Sequence, residues 1–423
     1  MYLIKGAQVY TENGIKKLDV RIKDDKIFEI GHDLELNSKS GEIEVLVYGK
    51  YLLPGAIDVH VHFRDPGNPE KEDFKTGTEA ALAGGVTFIC DMPNTNPPTI
   101  NMAGLMAKRE AAKKAKCNVK FWLGATYDNL DEIQELLKEP DVIGVKAYLG
   151  SSTGNLLFDN EDYWDQLFAI PGIQVAVHAE KEAIIQENNL KFKDIEDPEI
   201  HSVIRSNDAA EAATRRACEI GFKYNTKLHI AHMSASEELF VIKEYKEKGY
   251  TNLTCEVCPH HLIFHIGDYH EFKNFLRVNP PIRSKEDRRA LWDDGIGLGL
   301  VDIISTDHAP HTIPEKDCMY HLAHSGMPGV QECSNLMLNA IHLGKLTLDD
   351  FVRLRSSNPA KIFELEGRGI IKEGNFADLM LVDLDADFEI KLEDLKSKCG
   401  WSNYVGRKGK GVIEKVWCNG VLA

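Results

Sequence analysis

Short apolar runs recur through the middle of the chain: AIDVHVH, GVTFICDM, NVKFWLG, DVIGVKAYL, GIQVAVHAE, KLHIAHMS, NLTCEV and VDIISTDH. They are rich in Val and Ile and largely continuous in hydrophobicity, which predicts parallel strands buried on both faces. Between most of them lie amphipathic stretches such as NMAGLMAKREAAKKA, DNLDEIQELLKE and SASEELFVIKEYKEKG, whose apolar positions fall three or four apart and predict helices. Eight strands each followed by a helix or loop predict an α/β architecture, a (β/α)8 TIM barrel over residues 54–362. An open doubly wound sheet is the alternative, but no GxGxxG turn follows the first run, so dinucleotide binding has no support.

The two ends of the chain read differently. YLIKGAQVYTENGIKKLDVRIKDDKIFEIG alternates apolar and polar positions and is punctuated by Glu12-Asn13-Gly14 and Asp24-Asp25; RGIIKEGNFADLMLVDLDADFEI and GVIEKVWCNGVLA have the same texture. Neither end buries enough apolar surface alone. Residues 1–53 and 363–423 are therefore expected to join as one composite β-sandwich domain beside the barrel.

Composition narrows the function. The chain has 423 residues, 43% hydrophobic and 27% charged, which suits one or two globular domains. No apolar run reaches the roughly 20 residues of a membrane span, and MYLIKGAQVY lacks the basic and apolar segments of a secretory leader. Nine scattered cysteines form no disulfide framework, so a reduced, cytoplasmic protein is expected. A formal charge of −16 argues against nucleic acid as partner; an anionic substrate would need local positive groups.

In a TIM barrel, chemistry sits at the C-terminal ends of the strands. DVHVHFRDPG places His60 and His62 two apart, the strand period, so that with Asp58 they are expected to share a face, Arg64 lying just beyond. Strand two ends in Asp91 and then Asn94, strand four carries Lys146, strand five ends in His178, strand six in His232, and strand eight in Asp307. Nitrogen and oxygen donors in that number suit two zinc ions: His60, His62 and Asp307 for one, His178 and His232 for the other. Such a pair would activate a shared water. An ammonium at Lys146 would be repelled there, whereas its carbamate, formed with carbon dioxide, is an anionic bridge. Arg64 has no lone pair to give a metal but grips a carboxylate well.

These residues resemble the metal set of the amidohydrolase superfamily, and within it the dihydroorotases. FRDPG, DMPNTNP, RVNPPIR, TDHAPHT, GMPGVQE and KCGWSNYVG carry the resemblance, in order, from about Gly6 to the C-terminus. It implies reversible cyclisation of N-carbamoyl-L-aspartate to dihydroorotate in pyrimidine synthesis. Arg64, Asn94 and His311 would then hold the substrate carboxylate. Asn279 and the backbone at Ser325–Gly326 would contact the ring amides, and Asp307 would act as base and then acid. It further implies two Zn2+ ions, N6-carboxylation of Lys146 and a homodimer. One bacterial form of the family has an aspartate where this chain has Lys146, so the carbamate-bridged form is the one implied.

Hydantoinases and allantoinases are the nearest rival reading, but their uncharged rings would leave Arg64, Asn94 and His311 unused. An inactive homologue acting as a partner subunit is the rival of another class, although all six metal positions are intact. Weaker signals have plainer readings. GSSTGNLLFD suggests a lid with Thr153 as a contact; an extra metal near Glu256, known in some relatives, is not expected here. CEVCPHH lacks the second cysteine pair of a zinc knuckle and reads as strand seven with packed cysteines. His229 reads as a structural neighbour of the site, and LKFKDIEDPEIHSVIRS as a surface excursion.

Overall fold

The computed structural model describes residues 1–423, apart from the side chain of Ser40. All eight expected barrel strands form: Ala56–Val61, Val86–Asp91, Asn118–Gly124, Val142–Tyr148, Gln174–His178, Lys227–Ile230, Leu253–Val257 and Ile303–Ile304. They hydrogen-bond in chain order as one parallel sheet. Strand four is buried at every position, as expected where helices cover one face of a sheet and the barrel interior the other. The last strand has only two residues, so the barrel closes above it, where His62 N–H donates to the carbonyl of His308 at 2.8 Å. That seam brings the ends of the first and last strands together, and with them His62 and Asp307.

The helices between the strands start where the chain can satisfy their first N–H groups. Asp73 caps Phe74–Ala83, Asn101 caps Met102–Ala112 and Ser206 caps Asn207–Tyr224, each by accepting backbone N–H bonds through its side chain. The three amphipathic stretches singled out above contain the helices Met102–Ala112, Leu130–Leu136 and Ser236–Glu247. Among the described residues no helix is long and apolar enough to cross a membrane.

Both ends of the chain enter one eight-stranded sheet. Strand Tyr51–Pro54 joins them: it runs parallel to Tyr2–Thr11 and antiparallel to Leu379–Glu389, with Leu52 opposite Leu381. Ile4, Val9, Val20, Ile22, Leu379 and Trp417 pack into one apolar cluster of this sheet's own.

Two side chains depart from their expected places. The pairing of strands one and two shifts register between Asp58 and Val61. This bulge takes Asp58 off the face of His60 and His62; its carboxylate accepts the Thr306 N–H at 3.1 Å and lies 4.0 Å from Arg355. Asp91 turns from the mouth toward helix Met102–Ala112, where Lys108 Nζ lies 2.6 Å away and both groups are fully buried.

Candidate active site

His60, His62, Arg64, Asn94, His178, His232, Asn279, Asp307, Ser325 and Gly326 all line one narrow cleft at the C-terminal end of the barrel, joined by Tyr148, Ser152 and Thr153. Lys146 lies beneath, its Nζ fully buried, 5.4 Å from the ring of Tyr148. Arg64, His232 and Asp307 each hold a positive φ, of 61°, 36° and 46°. Non-glycine residues rarely adopt such backbone, and where they do the surrounding fold must impose it.

The imidazoles are oriented from behind. His60 donates its Nδ1–H to Glu256, and His62 donates its Nδ1–H to Asn94 Oδ1 at 2.6 Å. Their Nε2 atoms then carry lone pairs, and both face Asp307 Oδ1, at 3.4 and 3.1 Å. Burial draws His60 down to about 4 and His62 well below the ordinary imidazole range, so both are neutral near pH 7. One acceptor atom from each of His60, His62 and Asp307 thus turns to the same point, all within 4.8 Å of one another. A cation resolves the repulsion among them. Opposite them, His178 donates Nε2–H to Glu180 at 2.8 Å and turns Nδ1 toward His232 Nε2 at 3.0 Å. His232 Nδ1 and Lys146 Nζ are buried without a hydrogen-bond partner among the described residues, and an orphaned buried polar atom costs about 1–3 kcal/mol. Burial lowers the Lys146 amine to about 8, leaving a usable fraction as free base at neutral pH.

Beside this cluster, Arg64 is buried and among the described residues pairs with no carboxylate. Its Nε donates to the carbonyl of Pro310 at 3.1 Å, and Nη2 lies 3.1 Å from His311 Nε2. His311 Nε2 also lies 3.1 Å from the Ser325 carbonyl. Asn94 Nδ2 donates to the carbonyl of Thr153 at 2.9 Å, and Thr153 Oγ1 donates to the carbonyl of Ser325 at 3.2 Å, so the Gly/Ser-rich segment lies across the mouth. Asn279 Oδ1 is 2.8 Å from His201 Nε2.

Supporting residues stand behind the cluster, and of these Glu180, His201 and Arg205 escape a reading of the sequence. Glu256 takes His60, His229 Nε2 at 3.2 Å, the Ser305 hydroxyl and the His232 N–H at 3.2 Å. Burial favours its neutral form, but His60 and His229 win and hold the carboxyl well below its ordinary range. His229 is thus structural, as expected. Its signal was the period-two position of Glu256 in strand seven. The expected surface excursion 190–206 is only partly that: its acidic half is exposed, but His201 and Arg205 are buried and reach the site. Their spacing of four on one turn is the only local sign. Arg205 Nη2 donates to Glu180 at 2.6 Å, which in turn holds His178. Against the effect of burial, Arg205 and His178 keep Glu180 ionised far into acid. This support for folding is full above the ordinary carboxylate pKa and is lost only as pH falls below it. Replacing Glu180 by Ala strands a buried guanidinium and is expected to cost about 3–5 kcal/mol, read as a lower urea midpoint at unchanged slope.

The sequence matches the amidohydrolase family over residues 51–423. A dihydroorotase of Methanosarcina acetivorans is 34% identical over 417 residues, covering 95% of this chain and 88% of that protein. A dihydroorotase of Caldicellulosiruptor saccharolyticus is 33% identical, covering 100% and 98%. Among solved structures, an L-hydantoinase from Arthrobacter aurescens superposes with a TM-score of 0.93 at 25% identity, covering 100% of this chain and 95% of its own. With a barrel that gathers buried histidines and an aspartate at the C-terminal mouth, and a family match across most of its length, the chain belongs to the amidohydrolase family.

Proposed function

We propose that this chain is a dihydroorotase, interconverting N-carbamoyl-L-aspartate and L-dihydroorotate. The observation that carries the choice within the family is Arg64, a buried cation beside the histidine cluster with no acid of its own. A buried guanidinium is costly unless an anion meets it, and the substrate carboxylate is that anion. Curated dihydroorotases at 31–36% identity support the same reading. The hydantoinase structures share the fold and the class of reaction, but a neutral ring gives Arg64 nothing to hold. The test is direct: purified protein is offered L-dihydroorotate, hydantoin, dihydrouracil and allantoin. Dihydroorotate is expected to be the best substrate by kcat/KM, and preference for any neutral ring would displace the proposal.

The donor set fits two divalent ions, zinc by ligand type. His60, His62 and Asp307 would hold one, His178 and His232 the other, and a carboxylated Lys146 would bridge them. Bound ions supply Lewis-acid polarisation of a carbonyl and acidification of a water near neutral pH. The residues do the rest. Arg64 and His311 fix the substrate carboxylate, placing the ring amide over the histidine cluster. Asn94, whose amide already joins His62 to the loop at Thr153, closes that side of the cleft. Asn279 and the Ser325–Gly326 backbone meet the ring amides. In the hydrolytic direction, Asp307 accepts the proton of the attacking water and passes it to the departing ring nitrogen. In the reverse direction, it takes the proton from the ureido nitrogen and delivers it to the leaving water.

The catalytic unit is proposed to span residues 54–362, with 1–53 and 363–423 as the composite β domain; a homodimer in the cytoplasm completes the proposal. If Lys146 works as its carbamate, enzyme stripped by a chelator in carbon-dioxide-free buffer is expected to recover when zinc is returned with bicarbonate and to recover several-fold more slowly with zinc alone. Equal recovery in both buffers would remove the carbamate from the proposal.

A further inference from the structure

The segment CEVCPHH does not act as one unit. Cys255 lies on strand seven and directs Sγ to the carbonyl of Leu300 at 3.3 Å, while Glu256 serves His60. Past the strand end the chain turns at Cys258 into the short helix Pro259–Ile263, and this turn gathers Cys258, His260 and His261. One donor atom from each lies within 4.8 Å of the others, and all three residues are buried. The two rings stand 4.3 Å apart. His261 donates Nε2–H to the carbonyl of Pro280 at 3.0 Å, which leaves the lone pair on Nδ1. That Nδ1, and Nε2 of His260, are buried with no hydrogen-bond partner among the described residues. A backbone carbonyl that fixes the tautomer of an imidazole while its other nitrogen is buried without a partner is the arrangement that supports metal ligands.

We propose that Cys258, His260 and His261 form a second metal site, separate from the mouth cluster, for a cation of zinc or copper(I) type. One thiolate and two imidazoles suit those ions and exclude magnesium or calcium. Donors around a tetrahedral zinc stand about 3.5 Å apart, so the site closes by small side-chain rotations. Three protein donors leave one position for water. On binding, the Cys258 thiol loses its proton to solvent and both imidazoles stay neutral. The bound ion would tie the end of strand seven to the loop that carries Asn279, through His261 and Pro280.

Cobalt(II) distinguishes the two sites, because the mouth offers nitrogen and oxygen donors only. Protein saturated with cobalt is expected to show a thiolate-to-cobalt charge-transfer band, and to hold one more ion per chain than Cys258→Ser. The band is expected to vanish in Cys258→Ser and to weaken in His261→Gln. The mouth cobalt should keep its d–d absorption in both variants, which also reports that they are folded. Absence of a thiolate band in cobalt-saturated wild type overturns the proposal. So does a band that survives Cys258→Ser, since it would belong to another cysteine. The readout is independent of which ring the enzyme prefers.

Discussion

Replacing Asp307 by Asn is expected to lower kcat in both directions by about 10³- to 10⁴-fold, the upper range for a positioned acid–base group, while KM changes little. Asparagine keeps the shape and one oxygen toward His60 and His62, but it cannot accept a proton. It also removes the negative charge that faces two lone pairs at 3.1 and 3.4 Å. Asp307 sits on strained backbone at φ 46°, and Asn tolerates that region as well as Asp does, so the fold is expected to hold. Burial already raises the Asp307 carboxyl, with His60 and Lys146 pulling against it. Without metal, the variant should therefore melt no lower than the metal-free parent. Metal content by elemental analysis separates a lost base from a lost ligand. A variant that retains more than a tenth of wild-type kcat would take the proton shuttle away from Asp307.

Replacing Arg64 by Met is expected to reduce kcat/KM for dihydroorotate by about 10²-fold or more, since a hydrogen bond to a charged group contributes about 1.5–3 kcal/mol and a bidentate pair more. Turnover of a neutral ring, however slow, should be unchanged. Stability should move the other way. The guanidinium is buried, its proposed partner is the substrate, and Met fills much the same volume without the cost of desolvating a charge. A raised thermal midpoint together with a lost carboxylate preference would mark Arg64 as a group kept for binding against the interest of folding. Loss of dihydroorotate and neutral-ring turnover in equal measure would instead make Arg64 a structural prop of the mouth.

Much of this was readable from the chain alone. The long apolar runs and the helical spacing between them dictate a parallel barrel, because a strand covered on both faces has no polar side to show. The rule that barrels work at their C-terminal rim then selects His60, His62, His178, His232 and Asp307 from the sixteen histidines and many acids of the sequence. Local patterns cannot say which carboxylate backs which imidazole. Glu256 and His60 are brought together by strands on opposite sides of the closing seam, and Arg205 reaches Glu180 from a segment that looks like surface. The same holds for Asp58 and Asp91. A one-residue bulge, invisible in alternation, turned the first off its expected face, and a buried lysine on the neighbouring helix drew the second away. Periodicity acts along the chain and is written in neighbouring residues. The tautomer of each histidine, the orphaned Lys146 amine and the unpaired Arg64 are set by groups that only folding brings within 4 Å, so they belong to the tertiary structure.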